Sequence, residues 1–545
     1  MNLRPAPKLA YSILTLACIG FFLFAATCFI WSPGFYYDEV LFAPVSYLIA
    51  GEHVRVPVGM SFLGLPVALF PIYVGALKAY LMAPILSLFG SSFLTLRLPM
   101  ILVGAFCLWL LAKFLEPRLG IKAAGFALLL AATDPLFIYT TKIDWGPTTL
   151  AALFRCLAIG FLFRFFETRR SRDMALFLGA CAFGLWDKSN FIWLIIALGV
   201  ASLIFYREAL LVWLRATPKK EIAKTIFVPT LIYLLILIGI IFRSLKTALP
   251  DHPLSAMDYI DRIGKIFQLY VKSASGQFIF DYTFNSHLVN LALAPWLVPF
   301  QTLFGLVISL PINIFKNTSY RRELGFVSLV VLLIFVQAVL TPQTWGAHHM
   351  VVFWPLTHVQ LILCGLVIGA WIKQRTTPFI LFRCAFFVSI FFLCATAIRA
   401  DGGYLAAMRD NKAATLFRPE IADLAARLNS LAVDNIYAID WGLGNQLMVL
   451  TKRKDRVKYQ DVWSVFSDRP GEPKHRERLF EWLMSQPRAA FVSYVDDSSS
   501  GHQNHLSRDA ILKSWPLCSW EKIFIPKTTG EPLYRIDLIQ ACPAK

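Results

Sequence analysis

Two acidic turns stand out in a chain that has few charged residues. Asp38 and Glu39 directly follow the first long apolar run, and Asp144 lies in the short segment Lys142–Pro147. Carboxylates can ligate a divalent cation or accept a proton from a hydroxyl group. If both turns face the same side of a membrane, Asp38 and Asp144 are candidates for a shared catalytic or metal site. The alternative is helix capping, which is a frequent role of Asp.

Basic residues near the same helix ends are candidates for binding an anion. Lys188 lies in the segment Trp186–Asn190, and an ammonium group there could balance a phosphate. The alternative is a surface pair between Lys188 and Asp187, which would contribute little. His348 and His349 precede a proline-containing apolar segment and could bind phosphate or metal. An interfacial histidine pair explains them equally simply.

Asp281, Tyr282 and His287 form a third polar cluster, which could bind an acceptor molecule or simply be surface polarity. Tryptophans also recur at the expected outer ends of the apolar runs. Their pattern favours an interfacial aromatic belt, with stacking on a sugar ring as a lesser possibility. These tryptophans are Trp31, Trp145, Trp186, Trp296 and Trp345.

The composition is typical of a polytopic membrane protein. Hydrophobic residues make up 57% of the 545 residues and charged residues only 16%. The net charge is +18, and residues 1–399 hold 32 Lys and Arg against 16 Asp and Glu. Because these basic residues lie in short loops between apolar runs, they indicate membrane topology rather than nucleic-acid binding. Eight of the ten cysteines lie in apolar runs, where packing is the simplest role.

The distribution of basic clusters predicts the orientation. The run 9–31 follows two basic residues and is expected to be a retained first helix. An odd number of about 11 to 13 crossings places the acidic turns and everything after Arg399 outside the cytoplasm. The weakest run, 66–89, contains Lys78 and several prolines, so we expect it to lie at the outer interface or to re-enter. Residues 244–287 form a second long outer segment, in which an amphipathic pattern from Met257 to Phe267 predicts a helix on the membrane surface.

Residues 400–545 have dense charges and no long apolar run, which predicts a small extracytoplasmic α/β domain after a membrane domain of residues 1–399. A helix is expected over 418–431, and strands over 435–439, 489–494 and 533–539. Cys518 and Cys542 could form a disulfide if this domain is outside, but spacing alone leaves that open. The chain has no Walker loop, no HExxH and no Gly-x-Ser-x-Gly motif, so nucleotide chemistry lacks support.

Several of these segments together resemble the bacterial GT-C glycosyltransferases, a group that includes protein O-mannosyltransferases, aminoarabinose transferases and rhizobial core transferases. The likeness covers roughly residues 10–400. It depends on the segments Tyr36–Glu39, Gly90–Pro99, Asp134-Pro135 and Asp144. The tail matches no family in this resemblance.

The resemblance implies an all-α membrane domain, an outer-face active site, a polyprenyl-phosphate sugar donor and inversion at the anomeric carbon. It implies catalytic roles for Asp38, Glu39 and Asp144, and it leaves open whether Asp38 and Asp144 hold Mg²⁺, Mn²⁺ or Zn²⁺. Residues expected to bind the donor phosphate are Lys188, Arg97, His348 and His349. Those expected to bind the acceptor are Asp281, Tyr282 and His287.

The sequence therefore predicts a bacterial inner-membrane enzyme that transfers a hexosyl or pentosyl group to a lipid, glycan or protein acceptor. Two alternatives stay open at this stage. A transporter also has charged residues in its membrane segments, although these usually lie near the midplane. A polysaccharide ligase of the O-antigen type would depend on other residues than Asp38. A further alternative is a degenerate membrane part that carries an interaction module.

Overall fold

The computed structural model of the chain describes residues 6–52, 54, 58–69, 73–227, 229, 231, 233, 256–288, 292–310, 318–342, 344, 346–374, 379–440, 442–450, 458–462, 488–495 and 519–541. Most of the described residues before 410 are helical, because long apolar segments must satisfy their backbone groups internally when they lie in lipid. Among the described residues, six helices are long and apolar enough to cross a membrane, and a seventh span results if the helices on either side of Tyr206 are counted together.

Ten of the helices in the described residues belong to the first part of the membrane region. Helix α5 consists of two helices joined at Gly120, whose φ of +76° breaks the helical path. These helices are α1 (Ala6–Thr27), α2 (Tyr37–Val40), α3 (Phe42–Ile49), α4 (Leu77–Phe89), α5 (Phe93–Ala132), α6 (Pro135–Lys142), α7 (Thr148–Thr168), α8 (Ser171–Asp187), α9 (Ile192–Phe205) and α10 (Arg207–Ala216).

The second part contains two outer helices and the remaining long apolar ones. As expected, the amphipathic segment after residue 256 is a helix, with Met257, Ile260 and Ile263 exposed and Ile266 buried. The helices are α11 (Ala256–Ala274), α12 (Gln277–Phe284), α13 (Val298–Ser309), α14 (Arg321–Leu340), α15 (Ala347–Met350), α16 (Leu356–Lys373) and α17 (Phe379–Arg409).

The segment 66–89 is not one membrane-spanning helix. It begins in a two-stranded antiparallel sheet of β1 (Val58–Phe62) and β2 (Leu65–Leu69) and continues, after residues outside the described part, into the 13-residue helix α4. A strand and a helix of this length cannot together form a continuous span of about 20 helical residues. This agrees with the expectation that the segment does not cross the membrane as a regular helix, while the total number of crossings stays a prediction.

A five-stranded sheet and two helices form the described part of the tail. The strands are β3 (Asn435–Ala438), β4 (Lys458–Asp461), β5 (Ala489–Tyr494), β6 (Ser519–Pro526) and β7 (Pro532–Ala541), in the order β4-β3-β5-β7-β6. The first three are parallel and β7 is antiparallel to both neighbours. The helices are α18 (Ile421–Ser430) and α19 (Leu443–Leu450). The α/β class and the predicted elements are confirmed, whereas Cys518, Cys542 and Trp345 lie outside the described residues.

The tail packs directly on the loop that carries the first acidic turn. Gln446 on α19 donates a hydrogen bond from Nε2 to the Phe35 carbonyl at 2.9 Å. Phe35 and Val40 share one buried apolar cluster with Leu443 and Leu447. Since α17 runs unbroken to Arg409, the change from apolar helix to tail falls ten residues beyond the expected boundary. The sheet domain and the first outer loop are therefore one packed unit.

Candidate active site

Asp38 and Glu39 are neighbours in sequence but have different surroundings. Both lie on α2, a single helical turn, where successive side chains point about 100° apart. Glu39 is 2% exposed, while Asp38 is partly exposed. Among the described residues Asp38 makes no direct ion pair, although the charges of Lys188 and Lys78 act on it. Asp38 is thus the carboxylate of this turn that can still meet a ligand.

Both carboxylate oxygens of Glu39 accept hydrogen bonds from Arg97, which lies on α5. Nε of Arg97 donates to Glu39 Oε1 at 2.6 Å and Nη2 donates to Oε2 at 2.8 Å. The other guanidinium hydrogens bind the carbonyls of Ile30, Pro33 and Gly34 at 2.6, 2.8 and 3.0 Å. Because all five N–H donors of Arg97 have partners, the pair fixes the shape of the first outer loop, and no donor is left for a phosphate.

Asp144 is also fully engaged. Its Oδ2 lies 2.5 Å from the Lys78 ammonium, and both side chains are 2% exposed. Its Oδ1 accepts hydrogen bonds from the Thr149 amide at 3.0 Å, the Thr149 hydroxyl at 2.8 Å and the Thr148 hydroxyl at 3.3 Å. These bonds cap the start of α7, so the capping alternative describes part of what Asp144 does. A buried pair of this kind holds two loops together.

Lys78 is a site residue that the sequence analysis did not assign. It stands in an apolar segment, where the sequence predicted only that segment 66–89 lies at the outer interface or re-enters. A buried lysine needs a partner, which was the available signal. The backbone just before α4 brings Lys78 to the site: Val74 pairs with Lys188, and the Gly75 amide donates to the Asp187 carbonyl at 3.1 Å. A Cβ on Gly75 would overlap the Trp186 carbonyl, so only glycine allows this approach.

Lys188 lies at the centre of the site. Its side chain is 2% exposed, and Nζ donates to the Gly146 carbonyl at 3.0 Å. A Cβ on Gly146 would lie 3.4 Å from Lys188 Nζ and 3.8 Å from Asp38 Oδ2. The ammonium and the partly exposed carboxylate therefore face each other across a glycine whose φ is +59°. The alternative of a surface pair between Lys188 and Asp187 is wrong, because both side chains are buried.

Burial and neighbouring charges determine the protonation of this pair. Burial raises the pKa of Asp38 above its ordinary value, while Lys188, Trp145 and Lys78 act in the opposite direction. Burial lowers the pKa of Lys188 to about 8, and Asp38, Asp187 and Asp144 oppose that shift. Asp38 therefore loses its negative charge at a higher pH than an exposed carboxyl group, and Lys188 loses its positive charge at a lower pH than an exposed ammonium group.

The histidine pair lies beside Lys188. The rings of His348 and His349 are 4.1 Å apart, and the Lys188 charge acts on both. The Asn190 amide nitrogen lies 3.4 Å from His349 Nδ1. Three nitrogen-bearing side chains thus lie together in the site, and their binding of a phosphate stays a prediction.

Aromatic rings form another wall of the site. The Trp145 ring lies 5.0 Å from the Tyr282 ring, 5.0 Å from Tyr36 and 5.6 Å from His348. Trp145 is fully buried, so its assignment to an interfacial belt is wrong, whereas Trp31 and Trp296 are exposed. The Tyr36 and Tyr282 hydroxyls lie 3.4 Å apart.

The predicted acceptor cluster is split by the structure. Tyr282 lies in the aromatic wall near Asp38. Asp281 Oδ2 instead lies 3.4 Å from His287 Nδ1, and His287 is 87% exposed. The cluster thus divides into one residue within the site and two at the surface.

The arrangement does not fit a metal ion between Asp38 and Asp144. Lys78 occupies Asp144 Oδ2, and threonine donors occupy Oδ1. A cation would have to displace a lysine ammonium at 2.5 Å. Nor does the described part of the chain contain a group of three or more His, Cys, Asp or Glu side chains placed to hold a metal.

The fold is that of the GT-C glycosyltransferases. The chain is similar to ArnT from Cupriavidus metallidurans in its apo state, with a TM-score of 0.57 and 14% identity over 99% of this chain and 100% of that chain. It is also similar to the same protein bound to undecaprenyl phosphate, with a TM-score of 0.54 and 14% identity over 98% of each chain.

The archaeal oligosaccharyltransferase AglB from Archaeoglobus fulgidus, in complex with zinc and sulfate, has a TM-score of 0.54 and 12% identity over 96% of this chain and 72% of that chain. Residues 74–242 match the family model described as dolichyl-phosphate-mannose-protein mannosyltransferase. No curated protein sequence matches the chain significantly. The predicted resemblance and fold class are confirmed.

Proposed function

We propose that this protein transfers a sugar from a polyprenyl-phosphate carrier to an acceptor hydroxyl at the outer face of a bacterial cytoplasmic membrane. The observation that carries the proposal is the partly exposed Asp38 carboxylate facing the buried Lys188 ammonium across Gly146. A base beside a fixed cation is what displacement of a phosphate by a hydroxyl requires. The family match and the GT-C fold support the same reaction class.

Asp38 is the proposed general base. Its carboxylate takes the proton of the acceptor hydroxyl while that oxygen attacks the anomeric carbon. The bond between the anomeric carbon and the phosphate oxygen breaks, and the polyprenyl phosphate leaves with the bonding electron pair. A single displacement of this kind inverts the anomeric configuration. The role of Asp38 follows from its partial exposure, which the engaged carboxylates of Glu39 and Asp144 lack.

Lys188 is the proposed partner of the donor phosphate, with His348 and His349 beside it. A preplaced ammonium stabilises the charge on the leaving phosphate without reorganisation during the reaction. In this proposal Glu39 and Arg97 shape the loop, and Asp144 with Lys78 holds the second turn. We therefore assign these four to positioning, which for Glu39, Arg97 and Asp144 replaces the direct roles expected from the sequence.

Trp145 and Tyr282 are proposed to bind the sugar. Their stacked rings line the site next to Asp38, and aromatic faces suit the apolar face of a pyranose or furanose ring. Asp281 and His287 lie at the exposed edge, where they remain candidates for contact with a large acceptor. Undecaprenyl phosphate, which the similar ArnT structure contains, is the carrier we propose for this chain.

The decisive experiment compares glycolipids and glycoproteins from a deletion strain by mass spectrometry. The strain is complemented with the natural chain, with Asp38→Asn or with Asp410→Asn, an exposed carboxylate at the outer end of α17. We expect one hexose, pentose or amino-sugar substituent to be absent in the deletion and in Asp38→Asn, and present in the other two.

Two results would contradict the proposal. A full set of glycans with Asp38→Asn at normal protein level would favour a ligase that depends on other residues. Unchanged glycans in the deletion strain, together with substrate flux in proteoliposomes, would favour a transporter.

A further inference from the structure

A cavity lies between the helices, and none of the candidate active-site residues named above lines it. Its volume is about 360 Å³, and α5, α7, α14 and α16 surround it. Helix α7 begins beside Asp144, and the cavity touches it from Cys156 to Glu167. At 1.5 Å per residue, Glu167 lies roughly 28 Å along the helix from Thr148. The cavity is therefore separate from the candidate active site.

The walls of the cavity are apolar and its mouth is polar. Leucine, isoleucine, valine and phenylalanine side chains from the four helices line the interior. Arg118, Glu167, Tyr206, Arg322 and Glu323 line the remainder. These charged residues belong to the basic ends of the helices, which the positive-inside rule assigns to the cytoplasmic leaflet. An apolar chamber that opens among charged groups at this depth suits an amphiphile.

Arg118 has an unused donor at this mouth. Its Nε lies 2.9 Å from Glu167 Oε1, and Nη1 donates to the Phe114 carbonyl at 2.6 Å. The Nη2 atom is buried and has no hydrogen-bond partner among the described residues. Because an unsatisfied buried donor costs free energy, a ligand oxygen at Nη2 would be favourable. Arg322 is held over the Tyr206 ring, 4.6 Å from its centroid.

A shallow depression adjoins the cavity and shares Pro117 and Leu119 with it. The break of α5 at Gly120 forms this depression, and Lys113 and Lys122 stand exposed around it. Counting both features, four cations are present: Lys113, Arg118, Lys122 and Arg322. Three carboxylates are present: Glu116, Glu167 and Glu323. The excess of one positive charge complements one phosphodiester.

We propose that this cavity binds one acyl chain of an anionic glycerophospholipid from the cytoplasmic leaflet, with its phosphate in the depression near Arg118, Lys113 and Lys122. A volume of about 360 Å³ is at the small end of ligand pockets. It therefore suits a single acyl chain better than a polyprenyl chain several times longer. The bound lipid fills space between α5, α7, α14 and α16, so it stabilises the bundle. This inference does not depend on the proposed reaction.

Native mass spectrometry of the full chain in detergent tests the site, with phosphatidylglycerol as the probe and phosphatidylethanolamine and undecaprenyl phosphate as comparisons. We expect one phosphatidylglycerol to stay bound and to raise the melting temperature. Lys113→Gln with Lys122→Gln changes only exposed side chains and should weaken its retention at least tenfold. The matched control is Lys219→Gln with Lys220→Gln, two exposed lysines outside both features, which should leave it unchanged.

A second variant tests the chain-binding part. Val359→Trp places an indole in the cavity and should exclude the acyl chain while leaving the depression intact. Equal retention of phosphatidylglycerol in the double-lysine variant and its control would overturn the proposal. So would equal retention of phosphatidylethanolamine, or replacement of phosphatidylglycerol by undecaprenyl phosphate at this position. Because the double-lysine variant leaves the core untouched, the test stands even if Val359→Trp does not fold.

Discussion

The carboxylates in the two outer turns of the site have different binding partners. In the first turn Glu39 is bound by Arg97 on both oxygens, while Asp38 next to it has no direct ion pair among the described residues. In the second turn Asp144 is bound by Lys78 and two threonines. This difference supports our proposal that Glu39 and Asp144 hold the site in shape and that Asp38 acts in it. A carboxylate that is held in an ion pair fixes the positions of the neighbouring loops, whereas a partly exposed carboxylate can exchange a proton with a substrate.

The largest expected effect belongs to Asp38, the partly exposed carboxylate of the first turn. Asp38→Asn removes the proposed base and should lower kcat by roughly 10²- to 10⁴-fold with little change in thermal stability. The measurement is turnover of a polyprenyl-phosphate sugar donor by the purified protein, with Asp410→Asn as the control. A kcat within a few-fold of that of the natural chain would show that Asp38 is not the base, and the proposed difference between the two turns would then be wrong.

Lys188 should give the next largest effect, and pH should reveal its charge. Lys188→Met is expected to lower kcat/KM by about 10²- to 10³-fold, because a preplaced cation is lost. In the natural chain the ammonium is present below its pKa of about 8 and is lost above it. The raised pKa of Asp38 means that the base is lost, by protonation, as the pH falls. The rate should therefore pass through a maximum and decline above about pH 8.

Lys188→Arg separates charge from shape in this pH dependence. Arginine stays protonated at all accessible pH values, so any remaining activity should lose the decline on the alkaline side. An alkaline decline that persists in Lys188→Arg would assign it to another group.

A variant of Asp144 tests whether this carboxylate has a structural role. Asp144→Asn leaves the buried Lys78 ammonium without its counter-charge, which should destabilise the protein by roughly 3–5 kcal/mol. The double variant Lys78→Met with Asp144→Asn removes both charges and should recover most of that stability, as measured by thermal unfolding. Recovery of stability without full activity is the expected pattern for a positioning pair. Normal stability of the single variant would contradict the engaged state of Asp144.

The smallest effect is expected at the contact between tail and loop. Gln446→Leu leaves the Phe35 carbonyl without its donor, which should cost about 1–3 kcal/mol. Because Phe35 lies three residues before Asp38, a modest decrease in kcat should accompany it. Arg427→Gln, an exposed change on α18, is the matched control. Identical kcat values for the two variants would mean that the tail does not help to position the first turn.

Part of this site was predictable because its signals are local. A carboxylate directly after an apolar segment is costly unless it has a role, which pointed to Asp38 and Asp144. The same argument pointed to Lys188 and the histidine pair; in the structure Lys188 faces Asp38 across Gly146, and its charge acts on both histidines. Lys78 was not predicted because its partner, Asp144, is 66 positions away in the sequence. No spacing rule relates a lysine before one loop to an aspartate in another.

The sequence by itself determined the membrane class, the α/β tail and the set of polar residues at the outer helix ends. Composition and periodicity reflect which side chains of a segment must be buried. Both signals can be read within a single segment of the sequence. Only the tertiary structure decided which carboxylate is engaged and which can act. Arg97 and Lys78 reach their partners through packing between distant segments, and a one-residue step on α2 turns Glu39 to its arginine and Asp38 to the site.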